Sequence, residues 1–139
     1  MKKICIASFL LFFAFSCKDK DQQSAATSND IDAARNFIQA ALNSDFDKAR
    51  EFMLQDSLNL QDLEQTARLN RQMSNEEKRN YKEASIRIHS HRVINDSTSV
   101  IVYSNSYKNR QDSLRLVKDK GTWLVDFKFI FKHKTDSLP

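Results

Sequence analysis

The chain is poor in the residues that build most catalytic loops. Its 139 residues include one Gly, one Pro and two Cys. A dinucleotide-binding or phosphate-cradling loop needs two or three closely spaced glycines, so both are excluded. A nucleophile elbow of the Gly-x-Ser-x-Gly kind is excluded for the same reason. Two cysteines cannot make a zinc ribbon or a disulfide framework. Collagen-like and Gly/Ser-linker classes fall away too. The length predicts one domain.

What is present begins with an export signal. Lys2 and Lys3 lead an apolar run, residues 4–15, broken only by Ser8. Twelve such residues are too few to span a bilayer core, which needs roughly 20. Ala14 and Ser16 are small and stand just before Cys17, the pattern a signal peptidase requires. Ala14-Phe15-Ser16-Cys17 resembles the lipobox of bacterial lipoproteins, with Ala14 where that family favours Leu. The resemblance implies cleavage between Ser16 and Cys17 and a diacylglycerol on the Cys17 thiol. Two or more acyl chains hold a protein firmly on a membrane, whereas one binds marginally. Lys18-Asp19-Lys20-Asp21 resembles the short charged signal that sends some Gram-negative lipoproteins to the cell surface. The expected location is therefore the bacterial outer membrane, facing outward.

Removing the signal changes the composition. Four of ten Phe and two lysines leave with it, and 20 basic residues then face 18 acidic ones, a formal charge of +2. The pI of about 9.1 is partly a property of the signal. A charge of +2 is no argument for nucleic acid. Cys5 is discarded and Cys17 is used, so the core must hold the domain without disulfides.

Residues 18–28 carry no large apolar side chain and read as a tether with an r.m.s. reach of roughly 20 Å. The domain is expected over residues 29–132, with a tail over 133–139. Its first half is helical. Asn29 or Asp30 caps a helix with Ile31, Ala34, Phe37, Ile38, Ala41 and Leu42 on one face. Asp45 caps a short second helix. Leu60, Leu63 and Ala67 mark a third. Ser74 and Glu77 form a capping box that starts a fourth, through Tyr81.

The second half is sheet. Residues 85–94 alternate, with Ile86 and Ile88 on one face. A turn at Asn95-Asp96 leads to a strand over residues 98–107. Leu114 and Leu116 alternate in a third strand. Asp119-Lys120-Gly121 is a tight turn in which the only Gly supplies positive φ. Trp123, Val125, Phe127, Phe129 and Phe131 then alternate, which predicts a fourth strand reaching Phe131. Helices followed by an antiparallel meander make an α+β domain.

Three segments carry a family resemblance: Ala33-Ala34-Arg35-Asn36-Phe37-Ile38-Gln39-Ala40-Ala41-Leu42, Asp45-Phe46-Asp47-Lys48-Ala49 and Leu116-Val117-Lys118-Asp119-Lys120-Gly121-Thr122-Trp123-Leu124-Val125-Asp126. They resemble small families of unknown function in the nuclear transport factor 2-like (cystatin-like) superfamily. The resemblance implies a curved four-stranded antiparallel sheet wrapped round the first helix as a cone. Some relatives bind or transform small apolar molecules in that cone.

Strand parity tests the chain for chemistry. If Trp123, Val125, Phe127, Phe129 and Phe131 face the core, Asp126 and Lys128 face away. Asp126 is then a poor isomerase base, because such a base needs apolar walls to raise its pKa. The candidate ligand pocket comprises Phe37, Tyr103, Tyr107, Trp123 and Phe127. No catalytic residue is assigned. His89 and His91 lie at i and i+2, a spacing that places two metal ligands on one strand face, with His133 as a distant third. They are read as solvent-facing, with no bound metal and no cofactor. Basic and acidic residues interleave between Arg68 and Arg92, as on a solvated face. No stacking platform for nucleic acid is visible.

The expectation is a lipid-anchored, non-catalytic module that binds a small apolar ligand or an envelope protein. A dimer stays open. An isomerase or lyase using the same cone, and an interaction scaffold using the outer sheet face, are the alternatives.

Overall fold

The computed structural model describes residues 29–130. Ser16, Cys17, the tether, Phe131 and His133 lie outside the described residues. Helix α1 (Asp30–Leu42) starts at the expected cap: Asn29 Oδ1 accepts the Ile31 N–H at 2.8 Å. Asp45 caps α2 (Phe46–Glu51), and Asp56 caps α3 (Ser57–Gln72). Both halves of the capping box open α4 (Asn75–Lys82). Each cap satisfies amide groups that the first helical turn leaves unpaired.

Four strands follow: β1 (Ile86–Asn95), β2 (Thr98–Asn105), β3 (Asp112–Asp119) and β4 (Thr122–Asp126). They form one antiparallel sheet in the order β1-β2-β3-β4, so the domain is α+β. Lys120 and Gly121 hold φ of 48° and 84° between paired Asp119 and Thr122, a two-residue hairpin turn with positive φ at both positions.

One sheet face takes α1, which packs on all four strands. Ala33, Ala34, Phe37 and Ile38 of α1 are buried with Ile101, Leu114, Leu116 and Val125. The alternation of β2 and β3 places these strand residues on the helix side. Ile86 and Ile88 pack partly buried against the same core, as their spacing predicts. The outer edge of β4 is covered by the segment after α2: Val125 N–H donates to the Phe52 carbonyl at 2.8 Å, and Leu54 N–H to the Val125 carbonyl at 2.9 Å. β1 is the other edge strand.

Two expectations fail. First, the strand predicted to reach Phe131 ends at Asp126, and the chain turns at Phe127 into a helical turn at residues 128–130. The helical turn changes the parity, so Ile130 is buried at the core while Phe129 stacks on the Arg115 guanidinium, 5.0 Å from its ring. Asp126 does lie across the pleat from Val125, but it is buried rather than solvent-facing, at 2% exposure. Its side of the strand is closed by Arg115, Lys128 and Asn59.

Second, His89 and His91 do not share a face. The β1–β2 register jumps between Ile88 and Ser90, which leaves His89 as the extra residue of a bulge. His91 is paired with fully buried Ile101 and so points to the helix side. His89 points the other way and lies 2.8 Å from the Ser104 hydroxyl. Both histidines are exposed, as expected, but His91 lies on the helix side of the sheet: its Nε2 is 2.7 Å from Asp30 Oδ2, and the Ser99 hydroxyl donates to the same oxygen. This contact ties the start of α1 to the β1–β2 end of the sheet. Among the described residues, no group of three or more His, Cys, Asp and Glu could hold a metal.

Candidate functional site

A cavity of about 380 Å³ lies at the other end of α1, away from Asn29. Three layers converge on it. The C-terminal half of α1 supplies Phe37, Ile38, Ala41 and Leu42. α3 brings Thr66, Leu69 and Asn70, and Phe127 and Ile130 enter from the turn after β4. The loop end of the β2–β3 hairpin adds Tyr103, Asn105, Arg110 and Asp112. The wall is mostly apolar, with a few polar groups, Thr66 and Asn70 from α3 and the larger set from the hairpin, which is the usual make-up of a small-molecule pocket.

Phe37, Tyr103 and Phe127 line this cavity, as the sequence suggests, and the Phe37 and Phe127 rings meet at 5.1 Å. Tyr107 and Trp123 do not line it. Tyr107 sits beyond the end of β2 and packs edge-on against Tyr81, a wall residue, at 4.9 Å. Lys108 covers the Tyr107 ring at 4.7 Å. Trp123 lies at the opposite end, paired across the hairpin with Lys118. It keeps the core-facing parity but is too near the turn to reach the cavity.

Asp112 and Arg110 are the residues that sequence reasoning missed. Both fall in a stretch that reads as a polar loop. The signal was the register, since antiparallel pairing of Ile101 with Leu114 also sets Tyr103 opposite Asp112. Burial pushes the Tyr103 phenol above its ordinary value, and the nearby Asp112 charge pushes it further. Tyr103 therefore stays protonated at neutral pH and can donate a hydrogen bond into the cavity. Asp112 accepts the Ser113 N–H at 2.9 Å.

A second cluster is a charge network rather than a cavity. Arg115 Nε donates to Asp126 Oδ2 at 2.9 Å, and a second guanidinium nitrogen donates to the same oxygen. Lys128 Nζ lies 3.3 Å from Asp126 Oδ1 and 2.6 Å from Asp56 Oδ2. Asn59 is fully buried and joins the parts: its Nδ2 donates to Asp126 and Asp56, and its Oδ1 accepts the Lys128 N–H. The network ties the start of α3 to the end of β4. Every charge in it has a partner of opposite sign, so a structural role accounts for it.

The network makes stability depend on pH. Burial raises Asp126, but hydrogen bonds from Arg115 and Asn59 and the Arg115 charge outweigh it and hold the carboxyl below its ordinary value. The Lys128 hydrogen bond, followed by the Asn59 N–H, lowers Asp56 to about 2. Burial likewise raises Asp30, and the Ser99 and His91 contacts more than reverse it. Depressed carboxylates stabilise the fold above their unfolded pKa, about 4, and that stabilisation is lost as pH falls through the folded values. Lys128 is raised, first by its Asp56 hydrogen bond, so its contribution is present below the unfolded lysine value and lost at higher pH. Urea midpoints should be flat between about pH 5 and pH 9 and fall steeply below about pH 4. In Asp56→Asn that acid slope should be shallower, as read by circular dichroism.

No protein-family model, curated protein or solved structure matches the chain. Among the described residues, no helix is long and apolar enough to cross a membrane.

Proposed function

We propose that this chain is a lipoprotein of the bacterial outer membrane whose domain binds a small, largely apolar ligand and does not transform it. The export run, the small residues before Cys17 and the charged stretch after it support the anchor and the surface placement. The order of helices before meander, with α1 lying across all four strands, supports a nuclear transport factor 2-like cone. The observation that carries the binding reading is the cavity itself. At about 380 Å³ it is within the range of small-molecule sites, with Tyr103, Asn105, Arg110 and Asp112 to orient a polar group.

An isomerase or lyase is the second reading, and one observation favours it. Tyr103 and Asp112 face each other across β2 and β3 at the cavity wall, where a protonated phenol could polarise a carbonyl beside a carboxylate. Against it, Asp112 belongs to the polar set from the hairpin, whereas an efficient carboxylate base needs an apolar enclosure.

Native mass spectrometry of the chain purified from its own host tests both readings. The expected spectrum contains a small-molecule adduct. Ala41 lines the cavity, and Ala41→Trp should fill it and remove the adduct while leaving the far-ultraviolet circular dichroism unchanged. A spectrum without any adduct in the parent chain would count against ligand binding. Chemical change of the recovered ligand, lost in Asp112→Asn with binding retained, would establish the enzyme instead.

A further inference from the structure

The end of the domain opposite the cavity carries an apolar edge that the core does not use. Val93 and Ile94 sit at the end of β1, 64% and 50% exposed, next to the β1–β2 turn. They are two of four large apolar side chains that are so exposed among the described residues. Val93 pairs with Ser99, whose hydroxyl donates to Asp30, so the exposed pair stands beside the first turn of α1. The chain enters the domain at this same turn.

Chain length fixes what lies nearby. The twelve peptide steps from Cys17 to Asn29 reach at most about 40 Å. A diacylglycerol on Cys17 therefore keeps the start of α1 within that distance of the bilayer surface, and Val93 and Ile94 stand beside that turn. From this placement we infer that Val93 and Ile94 dock the domain on the lipid surface to which it is anchored, with the cavity mouth turned away. The inference rests on the lipoprotein reading above.

A second copy is the less suitable occupant. β1 is an edge strand, but its register shifts at Ile88/Ser90 and again at Val93/Asn95. Bulges and an exposed charge such as Arg92 blunt an edge against pairing with another chain. Arg92, Lys118 and Lys120 also mix with Asp96 and Asp119 around this end, so charge of one sign does not drive the contact. Two β-branched or aliphatic side chains entering the interface suit docking of a tethered domain, for which a small gain per molecule is sufficient.

The test uses the full lipidated chain in vesicles of phosphatidylethanolamine and phosphatidylglycerol. Single spin labels are placed by Val93→Cys, Ile94→Cys and, at the cavity end, Leu69→Cys, each at an exposed site. Cys17 is acylated and leaves no competing thiol. The ratio of oxygen to nickel-chelate accessibility should be several-fold higher at 93 and 94 than at 69, and it should persist in high salt. If all three labels are equally aqueous on a chain whose mass shows diacylglyceryl Cys17, the docking is wrong and the anchor stands. If the mass shows no lipid on Cys17, the anchor fails and the docking with it. Spin–spin broadening at 94 that survives dilution with lipid would assign the edge to a second copy and overturn the proposal.

Discussion

Replacing Asp126 with alanine is expected to lower the unfolding free energy by roughly 3 kcal/mol, because it leaves partly buried cations without their carboxylate. Arg115 and Lys128 both converge on Asp126, and Asn59 spends a donor on it. Lys128 keeps Asp56, whereas Arg115 has no other carboxylate within the network. For a domain of about 100 residues the melting temperature should fall by more than about 10 °C. A double variant, Arg115→Met with Asp126→Leu, should recover most of that loss, since a well-packed apolar pair often equals a buried ion pair. Urea titrations of the three chains provide the comparison. Equal stability of parent and Asp126→Ala would mean that solvent reaches the network freely.

Asp126 also shows where sequence patterning stops being informative. A run of Trp123, Val125, Phe127, Phe129 and Phe131 has the period of a half-buried strand, and parity then assigns Asp126 to solvent. Parity was right about the side and wrong about the environment. The carboxylate is buried because partners 11 and 67 residues away meet it, and no local period carries that information. The same partners stop the strand: Lys128 turns back to Asp56 and Asp126, and its N–H goes to Asn59 instead of a neighbouring strand.

Local chemistry was legible wherever one turn decides the structure. The caps at Asn29 and Asp45, the Ser74/Glu77 box and the positive φ at Gly121 each depend on contacts within about four residues. The His89/His91 pair fails for the opposite reason. One inserted residue inverts every side chain beyond it, and a bulge has no compositional mark in Ile88-His89-Ser90. The cavity was half legible. Phe37 and Tyr103 follow from helix and strand faces, but Arg110 and Asp112 become wall residues only once β2 and β3 are in register.

The cavity should also be visible in the energetics of truncation. Leu114 is fully buried between Ile101 and the α1 face and does not line the cavity. Leu42 is buried to a similar degree but lines it. A side chain bordering a void has already lost partner atoms on one side, so its removal forfeits fewer contacts. Leu114→Ala should therefore cost roughly 3 to 4 kcal/mol, near the upper part of the range for buried leucine, and Leu42→Ala about 2. A ligand that fills the cavity would supply the missing partners to Leu42 but not to Leu114. Adding the host-derived ligand should raise the parent's stability by mass action, and raise Leu42→Ala less, while Leu114→Ala gains as much as the parent. Equal costs for the two truncations, with and without ligand, would show that the cavity closes in solution and would remove the ground for a binding site there.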